Sequence, residues 1–332
     1  MYDKPYHNDI LNDKSFLITG GAGFIGSGLV EYLLKYGAKK VRVLDNFSTG
    51  SKDNIQQHFN NPHFELMEGD IRNPETCREA VNGMDYVSHQ AALGSVPRSI
   101  NDPQTSNDVN ITGHLNMLVA ARDAGVKRLV YAASSSTYGD HPGLPKVEEH
   151  IGKPLSPYAI TKYVNELYGD IFSRTYQFHT IGLRYFNVFG PRQNPRGPYA
   201  AVIPLFVEAA LKGEAPFING DGETSRDFTF VENAVQANIK ALLLPELKQH
   251  EVINIAFGER TTLNQLWEVI TSLAGVQIPA QYRDERAGDV RHSLANIQKA
   301  SNLIGYKPEF SVHQGLKLAY DWYAANLQQS AV

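Results

Sequence analysis

Three glycines between a short apolar run and an amphipathic stretch constrain this chain more than any other feature. Ser15–Thr19 reads as a strand, Thr19-Gly20-Gly21-Ala22-Gly23-Phe24-Ile25-Gly26 as a tight turn, and about Phe24 to Tyr36 as a helix. In such a unit one glycine permits the turn, a second lets backbone N–H groups approach a pyrophosphate, and a third lets helix and strand pack closely. Gly20, Gly23 and Gly26 stand at those positions, and the helix N-terminus brings partial positive charge to the phosphates. Asp45 closes the next strand, where a carboxylate accepts from ribose hydroxyls and repels a 2′-phosphate, which favours NAD over NADP. The alternative, a turn residue within Asp-Asn-Phe-Ser-Thr-Gly, is outweighed by the strand–turn–helix context.

The first half continues in the same alternation, which predicts a parallel sheet covered by helices. Further strands are expected at Val41–Leu44, Phe64–Met67, Tyr86–His89, Arg128–Ala133 and His179–Leu183. Long helices are expected at Asp102–Ala124 and Pro157–Tyr176. After Gly190 the texture changes: Pro191–Tyr199, rich in proline, arginine and glycine, reads as a surface loop. Ala201–Lys212, Phe230–Leu244 and Thr262–Leu273 read as helices, and Val252–Ile255 as a strand able to rejoin the first sheet. The fold class is therefore α/β: a doubly wound parallel sheet of Rossmann type with a smaller α/β C-terminal substrate domain. The expected division is 1–188, with a return at about 229–256, against 189–228 and 257–332.

A net charge of −4, with lysine and arginine scattered along 332 residues, argues against nucleic acid and membrane surfaces as partners. The polar opening, Met1 to Lys14, and the lack of a spanning apolar run predict a cytoplasmic protein. The single cysteine, Cys77, fits a reducing compartment and reads as a buried small residue on a helix. No metal site is expected.

Tyr158 and Lys162, four apart at the start of a predicted helix, project from one face. A phenol with a pKa near 10 is a poor base at neutral pH, and bringing it to about 7 takes roughly 4 kcal/mol. A neighbouring ammonium and a positive nicotinamide ring both favour the phenolate. Ser134, Ser135 and Ser136 follow the fifth strand, at the sheet edge that faces the same cleft.

With these residues assembled, the chain resembles the extended short-chain dehydrogenase/reductases, and within them the UDP-hexose 4-epimerases. The likeness is carried by Gly20–Gly26, Asp70-Ile71, His89-Gln90-Ala91-Ala92, Ser134–Gly139, Tyr158-Ala-Ile-Thr-Lys162, Arg184–Gly190, Gly220–Phe228 and Arg286-Ala-Gly-Asp289, from about Ser15 to Tyr323. Ala91–Ser99 and Ala133–Asp140 most resemble bacterial UDP-N-acetylglucosamine 4-epimerases that serve surface-polysaccharide synthesis. The resemblance implies cofactor contacts from Phe24, Ile25, Asn46, Ser48, Thr49 and Gly50, from Asp70 and Ile71 at the adenine, and from Gln90, Ala91, Ala92, Asn110, Tyr185 and Val188. It implies substrate contacts from Ser95, Arg98, Ser134, Ser135, Ser136, Asn187 and Val202, a diphosphate clamp of Arg226 and Arg286, and Asp289 on the uridine ribose. It also implies a homodimer built from the two long helices. Gly28 departs from the family pattern, which has a larger residue there, and bears on packing rather than chemistry.

Related dehydratases carry an Asp-Glu pair, and decarboxylases a glutamate, near the positions that Ser135 and Ser136 occupy here. A hydroxyl is no acid or base near neutral pH, so elimination lacks its catalyst. The sequence favours 4-epimerisation of a UDP-sugar over a dehydratase or decarboxylase and over a non-catalytic NAD-binding regulator. Ser293, four beyond Asp289, stands where the family places a gate on the sugar's 2-substituent, and its small size admits an N-acetyl group. UDP-N-acetylglucosamine is the expected substrate, with a UDP-hexuronic acid as the rival.

Overall fold

The computed structural model describes residues 1–195, 200–285 and 290–327. Its first strand, β1 (Ser15–Thr19), is buried at every position and runs into α1 (Phe24–Lys35) through the glycine turn. Then come β2 (Lys40–Asp45), β3 (Phe64–Glu68), α2 (Pro74–Val81) and β4 (Tyr86–His89). Three short helical pieces, α3 (Val96–Asn101), α4 (Pro103–Asn107) and α5 (Gly113–Asp123), precede β5 (Arg128–Ser134), α6 (Pro157–Tyr176), β6 (Thr180–Tyr185) and β7 (Val188–Phe189). The remainder comprises α7 (Val202–Lys212), β8 (Phe217–Asn219), β9 (Ser225–Arg226), β10 (Thr229–Phe230), α8 (Val231–Leu242) and β11 (Glu251–Ile255). The last elements are β12 (Thr261–Thr262), α9 (Leu263–Ala274), β13 (Gln281–Arg283), α10 (Gln298–Ile304) and α11 (Val312–Leu327).

Seven strands form one parallel sheet in the order β11-β6-β5-β4-β1-β2-β3. The order reverses between β1 and β4, and the carboxyl ends there open the crevice in which such sheets bind ligands. As the sequence suggests, β11 rejoins the sheet, pairing Ile253 with Leu183. Aliphatic cores cover both faces, as a parallel sheet requires. A third core, around Phe206, Phe230, Leu266 and Leu316, packs α7, α9 and α11 together. Ala300, Ile304 and Tyr306 pack into the first core instead, so α10 adheres to the sheet although the sequence reading groups it with 257–332.

The long helix expected over Asp102–Ala124 runs over Pro103–Asp123 as α4, a π turn and α5 in unbroken succession, with α3 a separate short helix before it. Ser95 caps α3 by accepting from the Arg98 N–H, and Asp102 caps α4 by accepting from the Thr105 N–H. Pro97 and Pro103 sit in the first turns, where a missing N–H costs nothing. A π turn over Asp108–Thr112 then carries Asn110 inward. Helix α6 likewise spans the expected residues, started by Ser156 and Pro157 and stopped by Gln177 in the left-handed region. Cys77 is fully buried on α2, and burial pushes its thiol up to about 12.

The first fourteen residues lie across α1 and α8. Tyr2 and Leu11 are buried, the Tyr2 and Tyr6 N–H groups donate to Glu232 and Tyr32 over 2.7 and 2.6 Å, and the Tyr36 hydroxyl donates to the Tyr2 carbonyl. This segment accounts for Gly28: a Cβ there would lie 2.6 Å from the Tyr2 hydroxyl oxygen. The departure makes room for a tyrosine.

Candidate active site

A cleft of about 930 Å³ runs along the carboxyl ends of β2, β1, β4, β5 and β6, at the upper end of the range for ligand sites. Gly20, Gly23, Phe24, Ile25 and Gly26 form its floor at one end. Gly20 has φ +67°, and a Cβ on it would meet the Ala91 nitrogen at 2.8 Å. A Cβ on Gly26 would meet the Gly20 carbonyl oxygen at 2.1 Å. No side chain caps the N-terminus of α1, so its first-turn amides are left to a ligand. A cradle that admits no Cβ, with uncapped amides above it, fits the pyrophosphate of a dinucleotide.

Asp45 lines the cleft, 7% exposed, and its carboxylate accepts from the Ala22 and Phe47 N–H groups at 2.9 and 2.8 Å. It is thus both the turn residue and the cleft residue that the sequence offers as alternatives, with lone pairs remaining for a ribose. Burial raises its pKa, against the pull of those N–H groups. Asn46, Ser48, Thr49, Asp70 and Ile71 continue the wall. Arg72 and Asn46 bond the Asp70 carboxylate and lower it to about 2. Gly50 is absent from the wall: its Cα packs on Ala22, where a Cβ would come within 2.9 Å.

At the centre lie Gln90, Ala91, Ala92, Tyr185 and Val188. The Tyr185 hydroxyl donates to Gln90 (3.1 Å) and accepts from Asn238 (2.7 Å), while the Gln90 amide donates to Ser88 and Asn238. Asn238 is fully buried on α8 and has no motif to announce it. Thr19 and His89 stand in the quoted motifs without a site role. Their side chains meet at 2.7 Å, and the Thr19 hydroxyl accepts from the Ala91 N–H. Asn110 stands behind the wall, 1% exposed: it accepts from the Leu93 N–H and donates to the Leu93 carbonyl and the Thr161 hydroxyl. It shapes the loop rather than touching the cleft.

Tyr158, Lys162 and Ser134 converge where β5 ends. The Lys162 ammonium donates to the Ala132 carbonyl at 2.8 Å and lies 5.9 Å from the Tyr158 ring centre. Burial lowers the lysine to about 8 and raises the tyrosine, while a hydrogen bond with Ser134 pulls the tyrosine back down. Burial thus outweighs the Ser134 hydrogen bond at Tyr158. Ser136 donates to Ser134 through its N–H (3.1 Å) and hydroxyl (2.9 Å). Beneath them Glu166 and Arg184 form a buried ion pair at 2.7 Å, fastening α6 to β6.

Asn187, Arg226 and Ser293 also line the wall. Asn187 has φ 37° and donates to the Asp227 carbonyl at 3.2 Å. Asp227, fully buried, accepts from the N–H groups of Phe257, Gly258 and Ala295. Burial raises it to about 6, and it ties three chain segments under the sugar end. Ser293 donates its N–H to the Ser225 carbonyl beside Arg226. Ser95 and Ser135 line the cleft, whereas Arg98 and Val202 stand off it on α3 and α7. Arg286 and Asp289 lie outside the described residues. Of the described residues lining the cleft, only Asp45 and Asp70 are carboxylates. The nearer strand, β2, lies three strands from β5, about 14 Å.

Residues 16–256 match the model of the NAD dependent epimerase/dehydratase family. A UDP-glucose 4-epimerase of Mycolicibacterium smegmatis is 34% identical over 92% of this chain and 97% of its own. A UDP-N-acetylglucosamine 4-epimerase from Methanobrevibacter ruminantium, solved with UDP-N-acetylmuramic acid, is 38% identical with a TM-score of 0.89, over 94% of this chain and 98% of its own. A UDP-glucuronic acid 4-epimerase from Bacillus cereus, solved with UDP-glucuronic acid and NAD, is 30% identical with a TM-score of 0.87, over 94% and 99%. No helix among the described residues is long and apolar enough to cross a membrane. The chain belongs to the NAD dependent epimerase/dehydratase family, and its cofactor is NAD.

Proposed function

We propose that this enzyme interconverts UDP-N-acetylglucosamine and UDP-N-acetylgalactosamine at C4, supplying a precursor of surface polysaccharide in the cytoplasm. NAD, which the glycine turn and Asp45 would hold, would supply the acceptor for the C4 hydride and the donor for its return to the opposite face. Tyr158, once ionised, takes the proton of the 4-hydroxyl, and Ser134 hydrogen-bonds the reacting oxygen. Lys162 supplies the positive charge that favours the phenolate and holds the nicotinamide ribose. The 4-keto sugar then turns over about its diphosphate linkage, with Arg226 and Arg286 on the phosphates and Asp289 on the uridine ribose. Tyr158 returns the proton. No net redox change occurs, so NAD stays bound.

The observation that carries this reading is the sugar end of the cleft, where the positions of an eliminating acid/base pair hold Ser135 and Ser136 and the gate position holds Ser293. An acetamido group fills the space that a small gate leaves open. The second reading, a UDP-hexuronic acid 4-epimerase, is supported by the Bacillus cereus relative. We also infer a homodimer: Ile160, Leu167 and Ile171 on α6 are 51, 50 and 40% exposed, at a spacing that puts them on one helix face, ready to pack on a second copy.

The test is a product assay with UDP-glucose, UDP-N-acetylglucosamine and their uronic acids side by side. Epimers are expected, with kcat/KM highest for the N-acetyl sugar and no loss of water or carbon dioxide by mass spectrometry. A 4-keto-6-deoxy product, or preference for UDP-glucose, would overturn the assignment.

A further inference from the structure

Asn187, Arg226 and Ser293 reach the wall from three separate stretches of chain, and all three are held through one residue. Asp227 follows Arg226 directly. The Asn187 amide donates to the Asp227 carbonyl at 3.2 Å. The Asp227 carboxylate accepts from the Ala295 N–H, two residues beyond Ser293, at 3.1 Å. It also accepts from the Phe257 and Gly258 N–H groups, both at 3.1 Å. The loop after β11 presents these two amides through Gly258 at φ +90°, a conformation that favours glycine. Asp227 itself is fully buried.

Charge on that carboxylate is a cost to the fold. Burial raises its pKa from 3.8 to about 6, against the pull of the N–H groups. The folded chain therefore holds the proton more tightly than the unfolded chain does. The stability this gives is complete below pH 3.8 and lost as pH rises through about 6, so at neutral pH the ionised group is kept against stability. What its charge supplies is grip. An N–H bond to a carboxylate is roughly twice as strong as one to a neutral acceptor, and a protonated acid turns an O–H toward donors that cannot accept it. We propose that Asp227 is a positioning residue: its ionised carboxylate fixes the spacing of Asn187, Arg226 and Ser293, and protonating it loosens the UDP-sugar site while the glycine-turn end keeps its NAD. This rests on the UDP-sugar lying along those three residues, as in the epimerase reading.

The titratable and charged groups on the elements around Asp227 are few. The Arg226 guanidinium donates to the Ser225 and Arg291 carbonyls, and the His292 ring bonds the Ser225 hydroxyl. Glu259 and Arg260 follow Gly258, and Lys146 bridges to Ala295 through its backbone. The Tyr306 hydroxyl donates to the Ala256 carbonyl, and burial holds it well above its usual pKa.

The experiment titrates the holoenzyme with UDP by calorimetry at about pH 5, 6 and 7, for wild type, Asp227→Asn and His292→Gln, and records the NAD content of each sample. Wild-type affinity should fall about 10-fold from pH 7 to pH 5, because the ionised fraction of Asp227 sets the apparent Kd, with NAD retained. Asparagine keeps the shape and mimics the protonated acid, so Asp227→Asn should bind at the weak, low-pH level throughout and epimerise with a raised KM and little change in kcat. Histidine is the side chain that ordinarily changes charge near neutral pH, and His292→Gln should keep the wild-type slope. If Asp227→Asn fails to fold, wild type and His292→Gln decide the matter. In both, UDP binding at pH 6 should release about half a proton, read from the heats in two buffers of different ionisation enthalpy. A flat wild-type affinity, an asparagine variant with the wild-type slope, or a slope or proton release that vanishes in His292→Gln overturns the role of Asp227 and leaves the epimerase reading standing. Failure of UDP to bind at any pH overturns the placement of the nucleotide sugar as well.

Discussion

The two ends of the cleft are made of different material. At the cofactor end, recognition is mostly backbone: Gly20 and Gly26 exclude side chains, α1 presents uncapped amides, and Asp45 is tied to the same turn. At the sugar end it is mostly side chains, brought together from β5, α6, β9 and the stretch after β13 and anchored by Asp227. A backbone site tolerates no added atom but is indifferent to most of its side chains. A side-chain site tolerates reshaping, and one substitution there is enough to change what it accepts. This contrast explains how one family keeps its cofactor while its relatives differ in sugar.

The largest expected effect falls where the two ends meet. Tyr158→Phe removes proton transfer alone, so kcat should drop about 10²- to 10⁴-fold, while titrations show NAD and UDP-sugar still bound. Near wild-type turnover would remove Tyr158 from the chemistry. Next comes the gate: Ser293→Tyr should cut kcat/KM for the N-acetyl sugar roughly 10- to 200-fold, and far more than any turnover of UDP-glucose. Equal loss on both sugars would mean that Ser293 does not border the 2-substituent. The smallest pair of effects tests the contrast directly. Gly26→Ala should lower stability by about 1–3 kcal/mol through overpacking and release NAD. Asp221→Asn breaks a half-exposed contact with Arg291 and should change stability by less than about 1 kcal/mol. Thermal melts and cofactor content of the purified proteins measure both. A harmless Gly26→Ala would erase the distinction.

The same contrast governs what the sequence reveals. The glycine turn, Asp45, Tyr158 and Lys162 are readable because each is fixed by local geometry: a turn, a strand end, one helix turn. Helix α6 is legible to the residue because Ser156-Pro157 starts it by a local rule. The π turn inside the helix over Pro103–Asp123 is not, because it answers to Leu93 and Thr161, which hold Asn110 from other parts of the chain. Asn238 is invisible for the same reason, since its partners Ser88, Gln90 and Tyr185 lie 150, 148 and 53 residues away. Family likeness recovers Ser293, Asn187 and Arg226 at the wall but also offers Arg98, Val202 and Gly50, which stand off it. Gly28 looks like a local anomaly until Tyr2 is seen beside it.

The return of β11 to the sheet has a consequence for taking the molecule apart. Residues 251–255 complete the row beside β6, so a cut after 188 would yield a fragment whose last strand shows bare N–H and C=O groups along its whole length. Such an edge recruits other chains. The cofactor-binding half is therefore not a transplantable cassette. Recombination that exchanges sugar preference has to proceed residue by residue at the wall, or carry both crossings of the chain together.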